Sequence, residues 1–169
     1  APVREWNMDR EEEIKYAQEN GIPIPASIDV PYSDDDNMWG ITWEGGEITD
    51  PALIAPEEKF LTTYTLPKNA PEKEELVTLK FEKGIPVSLN GKKLKLAKLI
   101  VDLNKLAGKH GVGTFQILED RLIGLKNRGV YEHPAAHVII EAHRNLEKYV
   151  STRELNELKE TMDTKWGYL

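Results

Sequence analysis

Residues 75–113, ELVTLKFEKGIPVSLNGKKLKLAKLIVDLNKLAGKHGVG, decide the fold, because the hydrophobic period changes inside them. The first half alternates apolar and polar residues in two runs around Gly84, which is the period of β-strands, and Asn90-Gly91 after the second run is a tight-turn pair. From residue 96 to residue 107 the apolar residues recur every three or four positions. This spacing predicts an amphipathic helix that ends near the glycines following it.

The residues C-terminal to this stretch predict a second hairpin and two more helices. Short apolar runs over residues 115–118 and 122–125 flank Glu119-Asp120-Arg121, which indicates two strands around a turn. Pro134 suits the first position of a helix. Ser151-Thr152-Arg153-Glu154 is a capping-box pattern and predicts the start of another helix.

The N-terminal third predicts one helix and one long irregular segment. Asp9 and Glu12 form a capping-box pair, so a helix is expected to run to about Asn20 and to stop at Gly21. Residues 22–56 are rich in Pro, Asp and Gly and predict a loop, and a loop of that length in a compact domain is often functional.

Two tryptophans inside this predicted loop, Trp39 and Trp43, indicate that it packs against another part of the protein. The order of predicted elements is helix, loop, strands, helix, strands and helices. The predicted fold class is therefore α+β, with strands and hairpins packed with several helices and one long loop, and not alternating βαβ.

Composition and charge restrict the class of protein. The chain has 169 residues, enough for one domain with a core, and 40% of them are apolar. The formal net charge of −7, from 22 basic and 29 acidic residues, disfavours nucleic acid and anionic membranes as partners. The chain has no cysteine, which excludes disulfides and thiol catalysis and suits a reducing cytoplasm. Because the sequence begins at Ala1 and shows neither a signal segment nor a long apolar run, we expect a soluble piece of a longer protein.

No short motif in the sequence predicts a phosphate or metal site. Residues 108–113, GKHGVG, lack the strand-to-helix setting of a phosphate loop, so a helix end and a turn are favoured. His133, His137 and Glu141 are spaced four apart and could bind zinc on one helix face, but Pro134 places His133 at or before the helix start. Exposed polar residues are therefore favoured there, and no metal site is predicted.

Carboxylates in turn-like contexts are the remaining candidates for chemistry: Glu44, Glu119 and Glu132. By pattern alone each is interpreted as a solvated surface acid, and Ser33 and Thr42 as ordinary hydroxyls. With no serine or cysteine paired to an obvious base, nucleophilic catalysis has no support in the pattern.

Four segments, in order, resemble the argininosuccinate synthases. The resemblance is carried by residues 1–25 (APVREWNMDREEEIKYAQENGIPIP), 32–51 (YSDDDNMWGITWEGGEITDP), 106–113 (LAGKHGVG) and 118–147 (LEDRLIGLKNRGVYEHPAAHVIIEAHRNLE). In that family the first segment connects the nucleotide-binding domain to the second domain, and the next is the citrulline loop. The resemblance implies that residues 1–25 are the connector helix and that residues 26–169 are the synthetase domain without its C-terminal tail.

The resemblance also implies the reaction and the partners. The family, known from arginine biosynthesis and the urea cycle, is a cytoplasmic ATP-dependent ligase that joins citrulline and aspartate through a citrullyl-adenylate and releases AMP and pyrophosphate. ATP with Mg is a substrate of the full enzyme, which is a homotetramer, and no cofactor is expected on this chain alone. The alternative is a stand-alone binding or assembly module without catalysis.

By the same resemblance, five residues contact citrulline and none is catalytic; the five are Ser33, Thr42, Glu44, Glu119 and Tyr131. Asp35 is expected on the nucleotide side. The sequence departs from the family pattern at Thr42, where many members have Ser, at Thr114, where many have Arg, and at Asp120, where many have Asn. The family's Ser-Gly-Gly-Leu-Asp-Thr-Ser phosphate loop is not in this sequence, so the isolated chain is expected to be inactive.

Overall fold

The computed structural model describes residues 2–24 and 31–169. In chain order the helices are α1 (Pro2–Trp6), α2 (Arg10–Glu19), α3 (Leu96–Lys109), α4 (Pro134–Val150) and α5 (Arg153–Trp166). The strands are β1 (Ser33–Asn37), β2 (Gly40–Glu44), β3 (Leu79–Glu82), β4 (Ile85–Leu89), β5 (Lys92–Lys93), β6 (Thr114–Asp120) and β7 (Lys126–Glu132). Two separate sheets and helices of this order confirm the predicted α+β class.

The chain divides into two compact units. The first unit comprises Ala1–Asp36, Ile41–Phe60 and Phe115–Tyr131, and the second comprises Asn37–Gly40, Leu61–Thr114 and Glu132–Leu169. The first unit carries α1, α2 and most of a four-stranded sheet with the strand order β1-β2-β7-β6. The second carries the three-stranded sheet β3-β4-β5 and helices α3, α4 and α5.

Helix α2 confirms the predicted start and end. The Asp9 carboxylate accepts a hydrogen bond from the Glu12 N–H at 3.0 Å, and the Asp9 N–H donates to the Glu12 carboxylate at 3.0 Å. This reciprocal pair satisfies two N–H groups at the helix start. The helix ends at Glu19, and Gly21 after it has a φ of +64°, the left-handed conformation that terminates helices.

The prediction of an irregular segment over residues 22–56 is wrong at its centre. β1 and β2 form a hairpin there, joined by Met38-Trp39, and the Asn37 side chain accepts hydrogen bonds from the Trp39 and Gly40 N–H groups at 2.9 and 3.3 Å. The sequence of β1, SDDDN, has low strand propensity, so its strand conformation depends on pairing with β2. Residues 25–30 of this segment lie outside the described residues.

The second predicted hairpin, β6–β7, is confirmed, but its second strand begins later than predicted. Residues 122–125 form the turn, in which the Gly124 N–H donates to the Arg121 carbonyl at 2.8 Å and the Arg121 N–H donates to the Leu125 carbonyl at 2.9 Å. Leu122 and Ile123 point into solvent. The apolar run 122–125 is therefore the exposed turn itself, and β7 is the more polar run that follows it.

One face of the four-stranded sheet packs against residues 46–60. Ile41 and Val130 on the sheet are buried, and the Phe60 ring lies 5.1 Å from Tyr32 and 5.5 Å from Trp43, measured between ring centroids. The prediction that the tryptophan-bearing segment packs is confirmed for Trp43, whereas Trp39 is exposed.

Arg128 on β7 fixes the path of this packed segment. Its guanidinium donates to the backbone carbonyls of Glu47, Ile48, Asp50 and Leu53 at distances of 2.6–2.9 Å. Four carbonyls of an irregular segment thereby find a charged partner, which they need because the segment has no regular backbone ladder of its own.

The second unit confirms the strand-to-helix change read from residues 75–113. β3 pairs antiparallel with β4, and β4 with β5 through the predicted Asn90-Gly91 turn. The core lies between strand β4 and helices α3 and α4 and consists of Leu89, Leu99, Ile100, Leu103, Ala135 and Ile139.

The starts of the two C-terminal helices follow the predicted caps, with one shift. α4 begins at Pro134, as predicted. α5 is capped by Thr152, whose hydroxyl accepts from the Leu155 N–H at 3.3 Å, and not by Ser151 as the capping-box pattern predicts. Among the described residues no helix has the length and apolar character to cross a membrane.

Candidate functional site

The residues that the sequence resemblance implicates lie together on one element, the four-stranded sheet of the first unit. Ser33 and Asp35 lie on β1, Thr42 and Glu44 on β2, Tyr131 on β7 and Glu119 on β6. Within β1 and within β2 the paired residues are two positions apart, so each pair shares a face of its strand. The structure thus gathers residues that are up to 98 positions apart in sequence, as counted from Ser33 to Tyr131.

These residues occupy the sheet face opposite the packed one. Thr42 lies between the buried Ile41 and the packed Trp43, and Tyr131 follows the fully buried Val130. Because side chains alternate between faces, Thr42 and Tyr131 point away from residues 46–60. Ser33, Thr42, Glu44, Glu119 and Tyr131 are half-buried, and Asp35 is exposed, so the face is a polar surface open to a ligand.

The two carboxylates on this face share one cation. Arg121 donates through Nη2 to Oε2 of Glu44 at 3.1 Å, and its Nε lies 3.9 Å from Oε2 of Glu119. β7 lies between β2 and β6 in the strand order, so the Arg121 side chain reaches across the level of β7 to Glu44. Arg121 was interpreted from the sequence only as a turn residue. Arg121 directly follows β6, and a cation two positions after a candidate carboxylate in an extended run is the signal that would have found it.

Gly129 makes room for Tyr131 on this face. A Cβ atom at Gly129 would lie 2.9 Å from both Cε2 and Oη of Tyr131. The phenol ring therefore lies back over its own strand at the position where any other residue would have a side chain. This fixes where the Tyr131 hydroxyl stands on the sheet.

The site spans the width of the sheet. β1 and β6 are the two edge strands, and three inter-strand spacings, about 14 Å, separate them. Ser33 and Asp35 lie on one edge strand, Glu119 lies on the other, and Thr42, Glu44 and Tyr131 lie between them.

Glu132 is not the solvated acid that its pattern suggests. Its carboxylate is fully buried in the second unit and accepts from the backbone N–H groups of Thr62, Thr63 and Tyr64 at 2.7–3.1 Å. The Thr63 hydroxyl adds a bond at 2.9 Å. A buried carboxylate is tolerated when its oxygens are hydrogen-bonded, so Glu132 holds residues 62–64 in place.

The structure places the histidine motif at the start of α4 and the glycine-rich motif in a closely packed turn. Among residues 2–24 and 31–169 no group of three side chains is placed to hold a metal ion. His133 directly precedes α4, and burial, followed by the charge of His137, lowers the pKa of its imidazole. In the glycine-rich turn, a Cβ at Gly108 would lie 2.0 Å from the Thr63 carbonyl oxygen, and one at Gly113 would lie 2.3 Å from Cα of Pro134. Close packing therefore accounts for these two glycines, as predicted for a helix end and a turn.

The sheet face thus brings together hydroxyls, carboxylates and a guanidinium, which are groups that donate and accept hydrogen bonds. The chain belongs to the argininosuccinate synthase family: residues 32–169 match the family described as "Arginosuccinate synthase C-terminal domain".

Relatives named argininosuccinate synthase match nearly the whole of this chain. The chain is 50% identical over 168 residues to the argininosuccinate synthase of Pyrococcus furiosus, covering 99% of this chain and 40% of that protein. It is 46% identical over 169 residues to the synthase of Methanospirillum hungatei, covering all of this chain and 42% of that protein. With the synthase of Geobacillus kaustophilus it shares 48% identity over 165 residues, 98% of this chain and 40% of that one. The chain thus spans about two fifths of the length of these relatives.

Proposed function

We propose that this chain is the citrulline-binding part of an argininosuccinate synthase, an ATP-dependent ligase that joins citrulline and aspartate. The observation that carries the proposal is the common sheet face: Ser33, Thr42, Glu44, Glu119 and Tyr131 lie on four strands of one sheet, exposed to a ligand. We use the term complete ligase for a protein that combines this chain with the N-terminal part of its relatives.

The chemistry of these groups suits citrulline. Citrulline carries an α-ammonium, an α-carboxylate and a neutral ureido group. The Glu44 and Glu119 carboxylates accept hydrogen bonds from ammonium and ureido N–H groups, whereas the hydroxyls of Ser33, Thr42 and Tyr131 can donate or accept. The array of acceptors thus extends across the sheet, with the Tyr131 hydroxyl on the strand between the two carboxylates.

In the proposed reaction the role of this chain is positioning. The ureido oxygen of citrulline attacks the α-phosphorus of ATP, pyrophosphate leaves, and the aspartate amine displaces AMP from the citrullyl-adenylate. Holding the ureido oxygen at a fixed place converts an encounter between two substrates into a local step. We place ATP with its Mg, and aspartate, on the N-terminal part of the complete ligase, with Asp35 on the side of the nucleotide.

A second function, assembly, is favoured by the exposed apolar face of α5. Leu155, Leu158, Met162 and Trp166 recur at helical spacing and are each more than half exposed. Lys159, at the flank of this face, lies 3.7 Å from Glu147 of α4. We propose that the apolar face packs on another copy in a cytoplasmic homotetramer; light scattering of the complete ligase and of a Leu158→Glu variant tests this, with a smaller particle expected for the variant.

Titration of citrulline into the 169-residue chain, followed by backbone NMR, tests the binding function. We expect millimolar affinity, on the order of 4 kcal/mol, with shifts concentrated on β2, β6 and β7. Shifts confined to α3 and α4, or no saturable shift, would contradict the assignment. Pyrophosphate release should require the complete ligase, and turnover by the isolated chain at about 1 per second or more would show that the chain is a full enzyme.

A further inference from the structure

Arg121 is the one cation that we place on the polar face among the described residues, and it is paired with two carboxylates. Its Nη2–Glu44 and Nε–Glu119 distances are 3.1 and 3.9 Å, and Asp35 adds a third carboxylate on the edge strand. Without Arg121 the face would carry only negative charge. The electrostatic preference of such a face is for ligands with a net positive charge.

The proposed substrate is not such a ligand, because citrulline is a zwitterion with a neutral side chain. Arginine has nearly the same shape, but a guanidinium replaces the ureido group and gives the molecule one net positive charge. A pocket that fits the shape of the ligand and offers it only hydrogen-bond acceptors would discriminate poorly between citrulline and arginine. A positive charge on the protein adds to the separation, because it disfavours the guanidinium and not the neutral ureido group.

We propose that Arg121 is a specificity-determining residue that makes the site select citrulline over its cationic isostere. Its guanidinium neutralises part of the carboxylate charge and repels a second guanidinium at close range. This inference rests on the proposed function and adds the discrimination between two amino acids of equal size.

The backbone keeps Arg121 where this role requires it. The Arg121 N–H and carbonyl are both used in the turn, at 2.9 Å to Leu125 and 2.8 Å to Gly124, and Gly124 has a φ of +83°. The side chains of Arg121 and Glu44 are each 41% exposed, so solvent screens their charges. The effect on selectivity is accordingly moderate, about five- to tenfold for one charge at this range.

The test compares two ligands in the complete ligase. The citrulline KM and the inhibition constant of arginine are measured for wild type, Arg121→Gln and Arg121→Lys. Lys126→Gln is the matched control, because Lys126 lies in the same hairpin and pairs with Asp120 at 2.7 Å, at strand positions of the opposite face. Thermal unfolding of each variant reports whether the fold is retained.

In Arg121→Gln the ratio of the arginine inhibition constant to the citrulline KM should fall about five- to tenfold at low salt. Arg121→Lys and Lys126→Gln should both keep the wild-type ratio. The fall in the ratio for Arg121→Gln should shrink at high ionic strength, because salt screens exposed charges. A purely structural role would raise both constants together and leave their ratio unchanged.

An unchanged ratio in Arg121→Gln, or an equal fall in Lys126→Gln, overturns this inference while leaving the proposed function in place. A wild-type complete ligase that neither binds nor consumes citrulline overturns the proposed function and, with it, this inference.

Discussion

The Tyr131 phenol lies over Gly129, so close that a Cβ on Gly129 would stand 2.9 Å from the ring and from its hydroxyl. Gly129 is buried at the middle of β7, and its φ is not in the left-handed region. The glycine is therefore needed for space and not for backbone conformation. This relationship links a residue without a side chain to the position of a proposed citrulline contact.

Gly129→Ala should displace Tyr131 and weaken citrulline binding. Added volume against a packed ring costs about 1–3 kcal/mol, so we expect the citrulline KM of the complete ligase to rise about five- to hundredfold while the ATP KM changes little. Tyr131→Phe is the companion variant, because it keeps the ring and removes the hydroxyl. If Gly129→Ala keeps the wild-type citrulline KM, Tyr131 does not contact the substrate.

Glu119→Gln should also raise the citrulline KM. A hydrogen bond to a charged group contributes roughly 1.5–3 kcal/mol, about ten- to a hundredfold in binding. Asp120→Asn is the control, since Asp120 pairs with Lys126 and should leave both substrate constants near wild type. Citrulline and ATP constants for Glu119→Gln that both stay within about twofold would fit a solvated surface acid and remove Glu119 from the site.

The elements that the sequence predicts well are stabilised by neighbours along the chain. The Asp9–Glu12 capping pair, the Asn90-Gly91 turn and the apolar period of α3 all act over a few residues, and all are confirmed. β1 was missed because its run of Asp residues opposes a strand, and its partner β2 supplies the pairing.

The parts of the site that the sequence could not predict depend on distant contacts. Glu44 and Arg121 are 77 residues apart, and Glu132 and Thr62 are 70 apart. Neither pair has a local pattern, so the sequence suggested surface acids at both positions. The resemblance to the synthases supplied the six candidates, but their common sheet face came from the structure.

Glu47 should make stability sensitive to acid. A hydrogen bond from its own backbone, followed by the Tyr32 hydroxyl and the Lys59 ammonium, lowers the pKa of the Glu47 carboxyl from 4.5 to about 2. Since the folded pKa is the lower one, the stabilising contribution is fully present above about pH 4.5 and is lost as the pH falls toward 2.

Denaturant unfolding at a series of pH values measures this contribution. The free energy of unfolding of Glu47→Gln should fall less steeply between pH 4.5 and pH 2 than that of wild type. Tyr32→Phe removes only the hydroxyl bond of 2.8 Å and should give an intermediate slope. Identical slopes in wild type and Glu47→Gln would show that these contacts do not persist in solution.

Replacing Glu132 should destabilise the protein more than replacing any exposed acid. In Glu132→Gln the amide oxygen can keep the contacts of Oε2, but the NH₂ then takes the Oε1 position and faces the Thr62 N–H, which can only donate. A buried donor without an acceptor costs about 1–3 kcal/mol, and the remaining bonds lose their charged acceptor, so we expect a loss of about 3 kcal/mol and a fall in Tm of about 6–12 °C.

Glu75→Gln is the matched control for this prediction. Glu75 lies in the same unit and is 42% exposed, with Lys109 at 3.3 Å and His110 at 3.1 Å. Exposed ion pairs contribute about 0–1 kcal/mol, so its Tm should change by less than about 4 °C. If the two variants unfold at the same temperature, water replaces the Glu132 contacts at little cost, and residues 62–64 are held by the packing at Gly108 instead.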